Sequence, residues 1–298
     1  MPVMSRRFAT LDVFTDAPLA GNPLAVVLDA EGLDTAAMQA IAREFNLSET
    51  VFVFPPAEPR HRARLRIFTP TRELPFAGHP TVGTAVLLAL RDARAEAADA
   101  VAFGLEEAIG VVPCVVETGA GRGRARFRLP VLPSYLGEPE AAEALAAALG
   151  LAADEIGFGR HRPSRHGAGP AFTFLPVASL ERLDALSPLG VPAGFAEGLY
   201  AYAPDPEGLG RRYRARMFAP RLGMPEDPAT GSAAAAFAGV LMQFETLGDG
   251  THDVAIRQGE AMGRPSGIDL QVVVEAGALR AVEIGGGAVL VSEGALHV

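Results

Sequence analysis

Three polar residues stand where chains seldom place them, and each could handle a proton. His79 sits between Gly78 and Pro80 in the run Glu73-Leu74-Pro75-Phe76-Ala77-Gly78-His79-Pro80-Thr81-Val82-Gly83-Thr84-Ala85, just ahead of an apolar helical pattern. A glycine-rich turn entering a helix leaves backbone N–H groups unpaired at the mouth, where the dipole also favours an anion. Asp227 occupies the matching place in Glu226-Asp227-Pro228-Ala229-Thr230-Gly231-Ser232-Ala233. Glu49, in Asn46-Leu47-Ser48-Glu49-Thr50-Val51-Phe52, marks the point where a helix ends and an apolar strand begins. Partial burial there would raise its pKa toward the range useful for proton transfer. Alternatively, Glu49 closes a turn, and His79 and Asp227 are no more than helix caps.

The two mouths belong to a longer repeated phrase. Arg66-Ile67-Phe68-Thr69-Pro70 aligns with Arg216-Met217-Phe218-Ala219-Pro220 at an offset of 150, and His79 aligns with Asp227 at an offset of 148. An apolar helix follows each copy, and Ala20-Gly21-Asn22-Pro23 is weakly echoed by Ala168-Gly169-Pro170. Self-similarity at half the chain length predicts two like domains related by a pseudo-two-fold axis. Two such mouths facing one another would form a cleft lined with donors, suited to a small anionic metabolite bearing a carboxylate. Gly78, Gly83 and Thr84, or Thr230, Gly231 and Ser232, would contact the anion, with His79 and Asp227 meeting across the cleft.

The elements that must position these groups alternate strand and helix. Short strands are predicted over 9–14 and 24–28, then a helix over 35–45 with Asp34 as N-cap and Asn46 as a left-handed stop. Strands follow at 50–54, 62–68, 110–116 and 124–129. Gly119-Ala120-Gly121-Arg122-Gly123 reads as a hairpin turn and not a phosphate loop, because no Lys-Ser/Thr ending follows it. Pro130-Val131-Leu132-Pro133 is the candidate linker. Beyond it come helices over 139–149 and 232–244, and strands at 171–176, 198–203, 213–218, 252–258, 268–274, 281–284 and 288–292. The pattern is α+β. The first domain takes 1–129, which the last strand, about 285–298, could complete; the second takes 130–298.

Composition narrows the function classes. A net charge of −9 over 298 residues argues against a nucleic-acid surface. The arginines of 60–66 and 212–216 alternate as the solvent face of a strand would, with Ala63, Leu65 and Ala215 inward. No apolar run reaches the roughly 18 residues of a membrane span, and the basic N-terminus lacks the apolar segment of a signal peptide. The single cysteine, Cys114, suits a reducing cytoplasm and reads as an inert core thiol. His161 and His166 share a Gly/Pro/Arg-rich stretch without metal-ligand spacing, which predicts a solvated loop and no metal site.

Six motifs in order carry a resemblance across nearly the whole chain. Gly21-Asn22-Pro23-Leu24-Ala25-Val26-Val27, Asn46-Leu47-Ser48-Glu49-Thr50, Phe76-Ala77-Gly78-His79-Pro80-Thr81 and Asp227-Pro228-Ala229-Thr230-Gly231-Ser232 resemble the phenazine-biosynthesis (PhzF-like) isomerase family. Gln258-Gly259 with Met262-Gly263-Arg264-Pro265-Ser266, and Gly285-Gly286-Gly287-Ala288-Val289, extend the match. The resemblance implies the diaminopimelate-epimerase-like fold: two pseudo-symmetric domains, each a β-barrel-like sheet around a central helix, with the site in the cleft between them. It also implies a cofactor-free homodimeric enzyme in which a glutamate moves a proton on a dihydro-hydroxyanthranilate. That glutamate falls on Glu49, and its partners fall on His79, Asp227 and Ser232. The related epimerases use two opposed cysteines; with Cys114 alone, and outside both mouths, a carboxylate must do the work. A non-catalytic protein that binds an anionic metabolite or a protein partner in the same cleft is the competing reading.

Overall fold

The computed structural model describes residues 5–92, 100–139, 142–187, 190–191, 198–207, 209–219 and 224–298. The chain forms two units, Met1–Pro130 with Gly285–Val298, and Val131–Ile284.

The first unit holds β1 (Ser5–Val13), β2 (Asn22–Val27), α1 (Thr35–Phe45), β3 (Glu49–Phe54), β4 (Ala63–Phe68), β5 (Glu73–Leu74), α2 (Gly78–Asp92), β6 (Val101–Glu107), β7 (Gly110–Gly119) and β8 (Arg122–Arg128). The second holds β9 (Ser134–Gly137), α3 (Ala142–Ala148), β10 (Ser164–Gly167), β11 (Ala171–Pro176), α4 (Leu180–Ala185), β12 (Gly198–Pro204), β13 (Arg211–Ala219), β14 (Met224–Asp227), α5 (Gly231–Phe244), β15 (Gly250–Gln258) and β16 (Ser266–Glu275). The last strand, β17 (Ala278–His297), begins in the second unit and ends in the first.

Strand pairing in the first unit closes on itself. β1 pairs antiparallel with β2, β2 parallel with β3, β3 antiparallel with β4, and β4 parallel with β6. β6, β7 and β8 continue as antiparallel neighbours, and β17 pairs with both β8 and β1. Among the described residues this is an eight-stranded barrel. In the second unit the same sequence of pairings recurs: β10–β11 antiparallel, β11–β12 parallel, β12–β13 antiparallel, β13–β15 parallel and β15–β16 antiparallel. The short return strands match too, β5 on β4 and β14 on β13. Identical ladders in identical order make the duplication a property of the fold.

Each ladder surrounds one helix. In α2 every residue from Gly78 to Ala89 is buried, and α5 buries Gly231, the run from Ala233 to Ala238, Val240 and Leu241. A helix apolar on all sides belongs inside a core. Gly83 lets α2 approach the sheet: a Cβ there would lie 2.6 Å from Leu24 Cδ2 and 2.6 Å from Val13 Cγ2. Outside the barrel, α1 lays Met38, Ile41 and Ala42 on Val27, Phe52 and Phe68. That cover explains why β2 and β3 read as continuous apolar runs. By contrast β8 alternates exposed and buried, as a strand with one wet face does.

Several local expectations hold to the residue. Asp34 accepts from Ala37 N–H and Asn46 closes α1 in the left-handed region, with φ 51°. Gly121, at φ 68°, turns the β7–β8 hairpin in which Gly119 pairs with Arg122.

Others need correction. The strands expected at 281–284 and 288–292 are one strand, β17, because the Gly285-Gly286-Gly287 run continues the ladder instead of breaking it. A Cβ at Gly287 would sit 2.6 Å from the Thr15 carbonyl, so glycine there permits close approach. Pro220 of the repeated phrase lies outside the described residues; of the helix expected over 139–149, residues 140 and 141 lie outside them, Pro139 is not helical, and α3 runs from Ala142 to Ala148. His161 and His166 are not on a solvated loop; they are 4% and 1% exposed. His161 bonds the Tyr202 hydroxyl through Nδ1 at 2.9 Å and stacks on Phe158, while His166 lies on β10 against Gly239 of α5.

Arg216 is likewise not on a solvent face. It pairs bidentately with Glu226, with 8% and 7% of the two side chains exposed, and donates to the carbonyls of Leu183, Asp184 and Leu186. Arg66 and Glu73 repeat the clamp in the first unit, and in both copies the guanidinium lies over the phenylalanine two residues on. The clamps tie β4 to β5 and β13 to β14 just before each central helix.

Burial should separate the two clamps. Removing one member of a buried pair strands the other charge, so Arg216→Met should lower unfolding free energy by about 3–5 kcal/mol. Arg66 and Glu73 keep 27% and 36% exposure, so Arg66→Met should cost about 1 kcal/mol or less. Urea unfolding checks both. Equal losses would contradict the assignment.

Candidate active site

Register places the first unit's candidates. β2 and β3 run parallel with Leu24 beside Glu49, which sets the Pro23 carbonyl next to the start of β3. Gly21 makes that turn possible: it has φ 65°, and a Cβ would lie 2.3 Å from the Val13 carbonyl. His79, the second residue of α2, hydrogen-bonds the Pro23 carbonyl. A proline carbonyl can only accept, so the imidazole donates. The other nitrogen, Nε2, lies 3.5 Å from Glu49 Oε2 and has no hydrogen-bond partner. Nδ1 therefore carries the proton, and Nε2 turns its lone pair toward a carboxyl oxygen.

Electrostatics keeps it so. Burial pushes His79 down to about 3, and the bond to Pro23 offsets only part of that. At neutral pH the imidazole is uncharged. A bare nitrogen facing a carboxyl group is a contact that one added proton would convert from repulsion into a hydrogen bond.

The remaining first-unit candidates divide by depth. Gly78 is at the mouth with His79, whereas Gly83 and Thr84 lie one turn deeper and are fully buried. Gly83 meets Leu24 and Val13 there. The Thr84 hydroxyl is buried without a partner.

In the second unit the mouth of α5 is built differently. Asp227 ends β14, and its Oδ2 accepts from the Thr230 hydroxyl at 2.5 Å. Thr230, not Asp227, is the N-cap residue of α5. Gln258 locks this turn: its amide donates to the Asp227 carbonyl at 2.8 Å and to Thr230 Oγ1 at 3.1 Å, and accepts from Thr230 N–H at 3.3 Å. Gly231 and Ser232 open the helix, with Ser232 half-buried. Behind Asp227, the buried Tyr200 hydroxyl is pushed up by burial and by the nearby Asp227 charge.

The duplication exposes an asymmetry. Phe68 pairs with Thr50 across β3–β4, and Phe218, its counterpart, pairs with Leu199 across β12–β13. The counterpart of Glu49 is therefore Gly198. A Cβ at Gly198 would lie 2.2 Å from Met217 Cε and 2.9 Å from Phe172 Cδ1, so hydrocarbon fills the place of the carboxylate. One mouth carries His and Glu; the other carries Asp and no second acid at that position.

A cavity of about 370 Å³ also opens in the first unit, lined by Arg6, Asp29, Phe54, Pro56 and Arg62 among others. It sits at the far end of β3 from Glu49 and holds none of the candidates. No group of His, Cys, Asp and Glu among the described residues could hold a metal.

Sequence reasoning missed Glu107, Arg216–Glu226 and the role of Gln258. Gln258 stands in the Gln258-Gly259 motif and Arg216 and Glu226 in the repeated phrase, whereas Glu107 carries no signal.

A sequence profile described as phenazine biosynthesis-like protein matches residues 11–294. An uncharacterized isomerase of Mesorhizobium japonicum is 49% identical, over 99% of this chain and 100% of the relative. The trans-2,3-dihydro-3-hydroxyanthranilate isomerase of Pseudomonas aeruginosa is 36% identical, over 98% and 99%. Among solved structures, a phenazine biosynthesis protein of the PhzF family from Bacillus anthracis superposes with TM-score 0.84 at 25% identity, covering 99% of this chain and 100% of that one.

The depressed His79 pKa has a stability consequence. An unfolded histidine titrates near 6.5, so the unfolded state binds the extra proton first as pH falls. The contribution of His79 is complete above about 6.5 and is lost as pH falls toward about 3, at up to roughly 1.4 kcal/mol per pH unit. Urea unfolding of wild type and His79→Gln between pH 7 and pH 4 should show wild type losing stability faster. A gap that is constant or widens in favour of wild type would contradict a buried neutral imidazole.

Proposed function

We propose that this chain, which belongs to the phenazine biosynthesis-like family of isomerases, moves a proton within a small carboxylate-bearing metabolite and uses Glu49 to carry it. The contact between Glu49 and the bare Nε2 of His79 carries the proposal. Glu49 removes a proton from a carbon that is alpha or vinylogous to an activating group. The carboxyl so formed donates to His79 Nε2, which stabilises the protonated acid until it returns the proton to another carbon. No cofactor takes part in this scheme, because the substrate's own unsaturation delocalises the charge left behind. Backbone N–H groups at the α2 mouth favour the substrate carboxylate.

The reading draws support from the relatives named for isomerising trans-2,3-dihydro-3-hydroxyanthranilate, and that compound is the first substrate to try. In heavy water the wild type should convert it with deuterium incorporated into the product, followed by NMR. Glu49→Gln should lower turnover by about 10²–10⁴ with an unchanged melting temperature. Full activity of Glu49→Gln would refute the role of Glu49. Binding of the compound without turnover or incorporation would favour a protein that only binds its ligand.

A further inference from the structure

Glu106 and Glu107 are neighbours at the end of β6, and strand alternation sends them to opposite faces. Their environments could hardly differ more. Glu106 accepts from the N–H groups of Ala57 and Glu58 and from His61 Nδ1, each at 2.8 Å, and these bonds hold it down to about 2. Glu107 points inward to the first turn of α2. Its Oε1 lies 2.8 Å from Thr81 Oγ1, and its Oε2 is buried with no partner. No arginine or histidine among the described residues pairs with it.

A count of protons decides its state. Thr81 Oγ1 lies 2.8 Å from the Ala77 carbonyl as well as 2.8 Å from Glu107 Oε1. Two oxygen–oxygen contacts of that length each need a proton. A hydroxyl supplies one and a carbonyl none. If Thr81 donates to Ala77, the other proton belongs to the Glu107 carboxyl, which donates to Thr81. Burial acts in the same direction and pushes Glu107 up to about 8, and a Thr81 hydroxyl donating to the carboxylate would offset only part of that. The titratable group facing it from β7 is Cys114, whose thiol burial also keeps neutral. The turn after Glu107 is tied to the same loop, since Ile109 N–H donates to the Pro75 carbonyl at 3.2 Å.

We propose that Glu107 is a positioning residue of the α2 mouth: as a neutral carboxylic acid it pins Thr81 and Ala77, and with them the turn that presents His79. Resting on the reading that this mouth receives a substrate carboxylate, its neutrality also keeps the mouth attractive to anions. Ionised, Glu107 would set a fixed negative charge within one turn of the helix N-terminus and oppose the anion there.

Two measurements test this, and only one depends on turnover. Infrared spectroscopy of the wild type across pH 6–10 should show a protonated carboxyl band that disappears around the pH at which burial releases the proton, about 8. The band should be missing from Glu107→Gln. Its absence from the wild type at pH 6 would overturn the neutral acid, whatever the substrate. In kinetics with trans-2,3-dihydro-3-hydroxyanthranilate, wild-type KM should rise about tenfold per pH unit beyond that point, with kcat changing less. Glu107→Gln keeps a donor for Thr81, so it should match wild type at pH 7 and lose the alkaline rise in KM. Superimposed KM profiles for the two proteins would overturn the positioning role even with the infrared band present. A wild type inactive on this compound refutes the functional reading and the anion argument together, and leaves the infrared result to decide the pinning proton.

Discussion

A helix buried on every side can spend polar chemistry only at its ends. Both central helices are in that position, with α2 walled by a closed barrel and α5 by the matching ladder of the second unit. Along their lengths nothing but hydrocarbon, small residues and a few enclosed hydroxyls is tolerated. At the mouth, unpaired N–H groups and the dipole make polar side chains favourable. The candidate residues gather at the helix mouths, where the fold favours polar side chains.

The two mouths have diverged under that shared constraint. In the first, the parallel pairing of β2 with β3 brings a proline carbonyl and a glutamate to the same histidine. The carbonyl fixes the tautomer, burial keeps the ring neutral, and the bare nitrogen faces the carboxyl group. In the second, Gly198 replaces the glutamate and Met217 fills its space, while Gln258 and Thr230 order Asp227. Duplication supplied the scaffold twice, and side-chain replacement left only the first copy with the glutamate proposed to carry the proton. Behind each mouth an arginine–glutamate clamp braces the incoming strand, exposed in one copy and buried in the other.

Much of this was legible in the sequence. Caps at Asp34 and Asn46, the hairpin at Gly121 and the paired mouths follow from local rules that act within a few residues. The motifs around Glu49 and His79 pointed to the family, and the family profile spans residues 11–294. What escaped notice depends on partners distant in sequence. Arginines alternating along β4 and β13 look alike, yet Arg216 is buried because α4 and the residue just after it, Leu186, offer three carbonyls beside Glu226. Glu106 and Glu107 are identical in type and adjacent in chain, and only the barrel decides which is ionised. His161 and His166 lie in a stretch of loop-like composition but face aromatic walls. Gly285-Gly286-Gly287 looks like a break and is instead where a strand passes close to Thr15.

His79 holds a bare Nε2 toward Glu49, ready for one proton. Nitrogen-15 NMR of the histidine ring, with His79 assigned through His79→Gln, reads this directly. A protonated Nδ1 and an unprotonated Nε2 are expected throughout the neutral range. A ring protonated at both nitrogens at pH 7, or protonated at Nε2 alone, would contradict it.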